Sequence, residues 1–322
     1  MRALVAGAAG FLGFHLSNRL RREGIEVVGL DNFCTGRREN VTQLEGDPGF
    51  SFFEHDITRP FGAAVAGPLD VIFNMACPGS PRAYQRDPLS TLDTNYVGIR
   101  NLLELAREKG ATILQASTSE VYGDPMIHPQ VESYWGNVNC FGPRGCYEEG
   151  KRVAETLMLE YARRYGVRIK VVRIFNTYGP RMDIEDGRII PTFIVQALRG
   201  DPITVFGDGS QTRSFCYVDD LVDGLVTMAA SEPSFTGPVN LGSPAELTVL
   251  ETASIIKEMT GSASPTVFTA PPPDDPRRRK PDISLAEAKL GWRPRVPFEE
   301  GVGRTIEYFR DITECRSPRG AL

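Results

Sequence analysis

The residues best suited to chemistry in this chain are a tyrosine and a lysine four positions apart, Tyr147 and Lys151. They open a run that is predicted as a helix to about Tyr165, and a spacing of four places both side chains on one helix face. A neighbouring ammonium favours the phenolate form and lowers the pKa of a phenol. Tyr147 is therefore a candidate to accept a proton from a substrate hydroxyl while a cofactor takes the hydride. Alone the pair is a weak signal, because a half-buried ring and a solvated amine often show the same spacing.

A glycine-rich turn near the N-terminus predicts the cofactor site. An apolar run over 3–6 breaks at the glycines of 7–13, after which leucines recur at helical spacing. Glycines let the backbone approach a diphosphate closely, and the first helical turn offers unpaired N–H groups to it. The next strand delivers Asp31, an acid suited to the ribose hydroxyls of NAD. Arg37 and Arg38 leave the preference for NAD over NADP open, since a nearby arginine can accommodate a phosphate.

Alternating strands and helices indicate the fold class. Apolar strands separated by amphipathic helices require a parallel sheet covered on both faces, so the chain is predicted to be an α/β protein with a Rossmann-type doubly wound sheet. The strands that follow the first two are predicted at 50–53, 70–76, 111–116 and 169–175, with a helix at 101–109.

A change of composition after about residue 177 predicts a second, smaller substrate domain that is discontinuous in sequence. Proline, glycine and isolated arginines replace the regular alternation there, while 238–241 again resembles a strand of the sheet. The predicted domains are 1–176 plus about 214–247 for the cofactor, about 177–213 plus 248–310 for the substrate, and a frayed tail over 311–322.

Composition and charge exclude several classes of protein. The chain has 322 residues, 41% of them apolar, and a net charge of -5, which gives no electrostatic footprint for nucleic acid or for an anionic membrane. No signal peptide and no apolar stretch of membrane-spanning length is present, so the cytoplasm is the expected location. The six cysteines and three histidines show no metal-ligand or disulfide spacing, and free thiols fit a reducing compartment.

Hydroxyls at Thr118 and Ser119, followed by Glu120, come off a predicted strand at the ligand edge of the sheet and complete a Ser/Thr, Tyr, Lys set. With the glycine turn, this set resembles the extended short-chain dehydrogenase/reductase superfamily over nearly the whole chain. Longer segments resemble the UDP-glucuronate decarboxylases within it. These segments are 31–37, 117–124, 142–144, 150–155, 173–177, 211–213 and 279–283.

The resemblance implies a reaction and its participants. Tyr147 would deprotonate the sugar C4 hydroxyl while NAD takes the C4 hydride, Lys151 would hold the tyrosinate and the ribose, and Thr118 would bond the reacting oxygen. The resulting 4-ketone makes the C6 carboxylate labile, and return of the hydride regenerates NAD. The implied catalytic residues are Tyr147, Lys151, Thr118, Glu120, Ser119 and Arg279.

The cofactor and substrate contacts predicted from the motifs and the resemblance form two larger sets. The NAD contacts are Gly7, Gly10, Phe11, Leu12, Gly13, Asp31, Asn32, Phe33, Thr35, Gly36, Asp56, Ile57, Ala76, Thr94, Ala116, Tyr147, Lys151, Thr177 and Arg188. The contacts to the UDP-sugar are Tyr84, Glu120, Asn176, Arg213 and Arg279, and Arg277 or Arg278 could take the place of Arg279. Packing, capping or surface ion pairs are the alternative roles of these residues.

Three rival functions share part of this pattern. An NDP-sugar 4,6-dehydratase shares the first oxidation but resembles enzymes with an Asp-Glu pair where this chain has Ser119-Glu120. A 4-epimerase usually lacks the glutamate. A non-catalytic NAD-binding regulator is the rival of a different class, and such proteins commonly lose the tyrosine or the lysine. Relatives also imply a homodimer, paired through helices near 93–108 and 147–165.

Overall fold

The computed structural model describes residues 1–272 and 274–316, and it is organised around one parallel sheet. Among the described residues, seven parallel strands lie in the order β3-β2-β1-β4-β5-β6-β11. Their bounds are β1 Arg2–Ala6, β2 Glu26–Asp31, β3 Phe50–Glu54, β4 Val71–Asn74, β5 Thr112–Thr118, β6 Ile169–Ile174 and β11 Val239–Leu241.

Helices cover both faces of this sheet. The helices are α1 Phe11–Arg22, α2 Arg38–Leu44, α3 Pro81–Tyr84, α4 Pro88–Asp93, α5 Ile99–Lys109, α6 Gly145–Tyr165, α7 Ile189–Arg199, α8 Val218–Ala230, α9 Val249–Thr260, α10 Ser284–Leu290 and α11 Phe298–Arg316. A π-helical turn at Thr94–Gly98 joins α4 to α5, and 3-10 turns lie at Gly62–Val65 and Ser119–Tyr122.

The alternation of side chains along β1 explains the two-sided core. Ala3 and Val5 pack into the cluster that contains α1 and α8, whereas Leu4 and Ala6 pack into the cluster that contains α5 and α6. Because successive residues of a strand face opposite sides, a strand buried on both faces reads as a continuous apolar run. The predicted doubly wound α/β fold is therefore confirmed.

Short strands outside the main sheet build the region that faces the cofactor half. These strands are β7 Thr177–Tyr178, β8 Ile203–Phe206, β9 Thr212–Ser214, β10 Cys216–Tyr217, β12 Glu246–Thr248, β13 Thr266–Thr269 and β14 Arg278–Arg279. β9 lies between β12 and β14, β13 pairs with β8, and β10 pairs with β7. These pairings fold the segments around 177–215 and 246–283 together.

The structure can be compared with two of the segments predicted in the second half of the chain. The segment at 238–241 does return to the sheet, where β11 pairs with β6. The division into two discontinuous domains stays a prediction. Residues 311–316, which the sequence predicts as part of a frayed tail, are helical, because α11 continues to Arg316. The rest of that tail, 317–322, lies outside the described residues.

Candidate active site

The carboxyl ends of β1, β2, β4, β5 and β6 meet at one edge of the sheet, where the cofactor cleft opens. Most of the predicted NAD contacts line it. They are Gly7, Gly10, Phe11, Leu12, Gly13, Asp31, Asn32, Thr35, Asp56, Ile57, Ala76, Thr94 and Arg188.

The turn between β1 and α1 has room only for glycine at two positions. Gly7 has φ +84°, a conformation that other residues rarely adopt. A Cβ at Gly13 would lie 1.9 Å from the carbonyl oxygen of Gly7. The backbone of the turn and the first turn of α1 therefore border the cleft without intervening side chains, which leaves the helix N–H groups accessible to an anion.

Asp31 ends β2 and is held by backbone donors. Its Oδ2 accepts from the N–H of Ala9 at 3.0 Å, and its Oδ1 accepts from the N–H of Phe33 at 2.8 Å. Burial raises the pKa of Asp31, while these backbone bonds act in the opposite direction. Two predicted contacts, Phe33 and Gly36, do not line the cleft. The Phe33 ring packs on Phe52, and a Cβ at Gly36 would lie 2.6 Å from Asp31 Oδ1, so both act beside Asp31.

Arg37 and Arg38, which left the preference between NAD and NADP open, lie in different surroundings. Arg37 lines the cleft and pairs with Glu39 at 3.5 Å. Arg38 points away, stacks over the Phe33 ring at 4.2 Å and pairs with Glu54 at 2.7 Å. Of these two, only Arg37 is in a position to meet the cofactor.

A second cavity adjoins the cofactor cleft and collects the predicted catalytic residues. Phe11, Leu12 and Arg188 line both spaces. The second cavity is lined by Ala116, Thr118, Ser119, Glu120, Tyr147, Lys151, Asn176, Thr177 and Arg279. The strand ends thus bring together residues that are far apart in the sequence.

Tyr147 lies near the start of α6 and is almost completely buried. Burial raises its pKa above the ordinary range, with the thiol of Cys77 and the carboxylate of Glu120 adding to the effect and Thr118 opposing it. The ammonium of Lys151 lies 5.8 Å from the Tyr147 ring centroid and donates to the carbonyl of Ala116 at 2.9 Å. In the protein alone, burial outweighs any lowering of the Tyr147 pKa by Lys151, and the predicted effect of the lysine stays a prediction.

The ring of Tyr84 packs against the ring of Tyr147. The two rings stack with centroids 4.7 Å apart and planes 3° apart, and Tyr84 has no exposed surface. Its hydroxyl lies 3.5 Å from Glu120 Oε2. Tyr84 is not among the residues that line the catalytic cavity or the substrate chamber, and its predicted contact with the sugar stays a prediction.

Glu120 is a buried carboxylate between two arginines. Arg144 Nη2 donates to Oε2 at 2.6 Å, and Arg279 Nη1 lies 3.5 Å from Oε1. Burial acts to raise the pKa of Glu120, but the two guanidinium groups outweigh it and hold the pKa below its usual value. Glu120 is therefore ionised and acts as an acceptor.

A larger chamber continues from the catalytic cavity into the region built by the short strands. Asn176, Arg213 and Arg279 line it, as predicted for substrate contacts, together with the aromatic ring of Phe206. β14 pairs with β9 so that Arg279 lies opposite Arg213. Arg277 and Arg278 are exposed and line a separate surface groove, so Arg279 is the member of the basic run that reaches the site.

Comparisons with known proteins agree with this geometry. Residues 3–242 match the model of the NAD dependent epimerase/dehydratase family. The chain belongs to that family. UDP-glucuronic acid decarboxylase 3 of Arabidopsis thaliana is 52% identical over 311 residues, which cover 96% of this chain and 89% of the relative. UDP-glucuronic acid decarboxylase 1 of Xenopus tropicalis is 50% identical over 97% of this chain and 73% of its own length.

Solved structures of other family members share the fold. UDP-glucuronic acid 4-epimerase from Bacillus cereus, in complex with UDP-glucuronic acid and NAD, has a TM-score of 0.89 and 28% identity, covering 97% of this chain and 100% of that chain. UDP-glucose 4-epimerase from Thermotoga maritima has a TM-score of 0.88 and 30% identity, with the same coverage. The resemblance to the decarboxylases and to their superfamily is confirmed.

The residues at the cleft fit the NAD that the family uses. The side-chain-free turn at Gly7 and Gly13 leaves space beside the α1 N-terminus for a diphosphate, and Asp31 lines the same cleft, where an acid can bond ribose hydroxyls. No group of three or more His, Cys, Asp or Glu side chains within 1–272 and 274–316 is placed to hold a metal ion. None of the helices described there is long and apolar enough to cross a membrane.

Sequence reasoning missed the role of three residues around Glu120. Arg144 contacts Glu120, Glu148 at 3.3 Å and Asp275 at 3.6 Å. The sequence signal for Arg144 is that the segment 142–144 resembles the corresponding segment of the family. Burial, together with the negative charge of Glu120, raises the pKa of Glu148 to about 7, although Arg144 lowers it.

The raised pKa of Glu148 predicts a pH-dependent stability. Between about pH 4.5 and pH 7 the folded protein retains a proton that the unfolded chain has lost, so the contribution of this group falls as pH rises through that window. Glu148→Gln removes this titrating group. We therefore expect the free energy of unfolding of the variant, relative to that of the original protein, to be higher at pH 8 than at pH 5 by on the order of 3 kcal/mol. Urea unfolding at both pH values measures this difference.

The matched control for this measurement is Glu149→Gln on the same helix. Glu149 is half-buried, and its ion pair within the described residues is a long one with Arg152 at 3.6 Å. Its substitution should leave the difference between pH 5 and pH 8 unchanged. Equal pH dependence in Glu148→Gln and the original protein would show that Glu148 is ionised throughout.

Proposed function

We propose that this protein decarboxylates UDP-glucuronate to UDP-xylose through a UDP-4-keto sugar, with NAD reduced and regenerated in each turnover. The proposal rests mainly on Arg279. Its Nε and Nη2 are buried and have no hydrogen-bond partner within the described parts of the chain. A buried guanidinium with free donors calls for an anion, because unpaired charge is costly away from water. The carboxylate of a uronic acid meets that need beside Tyr147. The names of the relatives that are about half identical support the same substrate.

The first step is removal of hydrogen from sugar C4. NAD, when bound, accepts a hydride from an alcohol carbon, returns it to a ketone and brings the positive charge of its oxidised ring. Tyr147 takes the hydroxyl proton, and its stacking on Tyr84 fixes the direction of the phenol. Burial disfavours the phenolate form of Tyr147 in the protein alone, so the positive charge of the oxidised cofactor ring would favour that form when the cofactor is bound. Thr118, at the end of β5, bonds the same substrate oxygen.

Loss of carbon dioxide follows from the position of the new ketone. The C4 carbonyl is β to the C6 carboxylate, so the C5–C6 bond breaks and its electron pair enters an enolate at C4. Arg279 binds the carboxylate before it leaves. Glu120, which is held ionised, accepts a hydrogen bond from a sugar hydroxyl or from a water that delivers a proton to C5. A proton at C5 and the returned hydride at C4 complete the pentose.

The nucleotide end of the substrate occupies the larger chamber. Arg213 is buried there and supplies positive charge for the diphosphate, and Arg188 lines the cofactor cleft, the catalytic cavity and the chamber together. The half-buried Asn176 lies between the cavity and the chamber. This arrangement supports the proposed division between a cofactor domain and a discontinuous substrate domain.

Turnover of UDP-glucuronate tests the proposal directly. We expect the purified protein with a catalytic amount of NAD to release UDP-xylose and carbon dioxide without net accumulation of NADH. Mass spectrometry of the nucleotide sugar should show the loss of carbon dioxide. Loss of water would instead indicate a dehydratase, and unchanged mass with altered sugar NMR couplings would indicate a 4-epimerase.

A second prediction concerns the proposed base. Tyr147→Phe removes the hydroxyl and keeps the ring that stacks on Tyr84, so the site should remain folded. We expect turnover to fall by about 10²-fold to 10⁴-fold, the range for losing a general acid or base, while NAD affinity measured by calorimetry stays within about twofold. Tyr165→Phe, at the exposed end of α6, is the control and should keep full activity. Substantial turnover by Tyr147→Phe would rule out this residue as the base.

A homodimer is proposed from an exposed apolar surface on α4, the π-helical turn and α6. The exposed fractions are 74% for Leu89, 37% for Leu92 and 46% for Tyr96, with 42% for Leu159 on α6. α4 and the π-helical turn both pack on α6, so these side chains belong to one helical layer. Two copies of such a surface can cover each other around a twofold axis.

Charge placed on this surface should separate the subunits. We expect Leu89→Glu to shift the molar mass measured by light scattering toward that of one chain of 35.5 kDa. Leu250→Glu, at a residue that is 40% exposed on α9, is the control and should leave the mass unchanged. A mass that is the same for the original protein and Leu89→Glu would show that this surface is not the interface.

A cytoplasmic location, with no nucleic-acid partner, is the remaining part of the proposal. Cys34, Cys77, Cys140, Cys146 and Cys216 are all free thiols, as expected in a reducing compartment. The negative net charge argues against an electrostatic attraction to nucleic acid.

A further inference from the structure

Three arginines and three carboxylates surround the place where the catalytic cavity meets the substrate chamber. The arginines are Arg144, Arg213 and Arg279, and each is about 95% buried. The carboxylates are Glu120, Glu148 and Asp275. Their pairing is unequal, because one arginine contacts all three acids and another is left almost unpaired.

Arg144 is the centre of this cluster. It donates to Glu120 Oε2 at 2.6 Å, contacts Glu148 at 3.3 Å and lies 3.6 Å from Asp275. Asp275 also accepts from Arg213 Nη2 at 2.7 Å. Arg144, which lies directly before α6, therefore makes the closest ion pair with Glu120.

Arg279 is left with its donors free as a result. Its only contact to a carboxylate is the one from Nη1 to Glu120 Oε1 at 3.5 Å, as far as the described residues show. That distance is at the outer limit of a hydrogen bond, whereas a close charged pair lies near 2.7–2.9 Å. Glu120 is thus turned toward Arg144 and away from Arg279.

We propose that Arg144 is a positioning residue for substrate recognition, which holds Glu120 off Arg279 so that Arg279 remains free to bind the carboxylate of the sugar. The inference rests on the proposed function, since it concerns the acidic group of the same substrate. It assigns the selectivity for an acidic sugar to a competition between two carboxylates, one from the protein and one from the ligand, for a single guanidinium.

The physical consequence of losing Arg144 follows from burial. A buried carboxylate must keep a counter-charge or take up a proton, and the nearest remaining cation for Glu120 is Arg279. A small rotation would turn the 3.5 Å contact into a close two-point pair. The sugar carboxylate would then have to displace Glu120, so affinity for an acidic sugar would fall. A sugar with a neutral C6 group does not use Arg279 in this way and would be affected little.

A double-mutant cycle between Arg144 and Glu120 tests this inference. Binding of UDP-glucuronate and of UDP-glucose is measured by calorimetry with NAD present, in the Tyr147→Phe background so that no turnover occurs. We expect Arg144→Gln to weaken UDP-glucuronate about 10-fold or more and UDP-glucose by less than about threefold. In a Glu120→Gln protein the same Arg144→Gln change should weaken UDP-glucuronate by less than about threefold, because the competing carboxylate is gone.

Two results would overturn the inference. An equal loss of affinity for both ligands would mean that Arg144 shapes the chamber or contacts the nucleotide. An equal loss with and without Glu120→Gln would mean that Arg144 binds the sugar directly. Arg144→Lys provides a second variant if Arg144→Gln does not fold. A single ammonium cannot serve several acids in the same geometry, so a loss confined to UDP-glucuronate is again expected.

Failure of the proposed function would look different from failure of this inference. A protein with Arg144 and Glu120 intact that binds UDP-glucose as tightly as UDP-glucuronate would contradict the acidic substrate itself. Preference for UDP-glucuronate that survives Arg144→Gln would leave the substrate in place and remove the role of Arg144.

Discussion

A buried negative charge beside the reactive tyrosine is the constraint on which the rest of the site depends. Glu120 leaves the end of β5 with only 7% of its surface exposed, and ionised carboxylates at that depth need counter-charges. One comes from Arg144 before α6, and a weaker one from Arg279 in the small three-stranded sheet. The charge of Glu120 therefore links the large parallel sheet to the small sheet that carries Arg279.

The division of labour between the two halves follows from how each is built. The parallel sheet places Gly7, Asp31, Thr118 and Tyr147 at a common edge through rigid strands and the helices packed on them. The short strands β9 and β14 present Arg213 and Arg279 to the same edge. In the proposed function the first set carries out the hydride transfer. The unpaired charge of the second set selects the sugar.

This separation gives a physical account of why relatives with one fold carry out different reactions. In the proposed reaction, oxidation at C4 creates a ketone, and the step that follows depends on the groups around the sugar. In this chain those groups are an ionised glutamate and an arginine with free donors, which suit a carboxylate that can leave. The absence of an aspartate at Ser119 removes the acid that elimination of water would use.

The sequence by itself determined the local features of this protein. The glycine turn, the acid at 31, the alternation of strands and helices along the chain, and the tyrosine and lysine of α6 are readable because each depends on neighbours within a few residues. The family resemblance added the likely substrate. These features cover the doubly wound fold and most of the candidate site, although the burial that raises the pKa of Tyr147 could not be read from the sequence.

Tertiary structure decided which distant groups meet. Adjacent strand residues face opposite sides, but only the pairing of β14 with β9 determines that Arg279 points inward and Arg278 outward. Tyr84 became a support because α3 packs its ring behind Tyr147. Arg144 acquired its role from partners 24 and 131 positions away along the chain. A sequence pattern carries no record of such contacts, since they arise from the folding of separate segments onto one sheet edge.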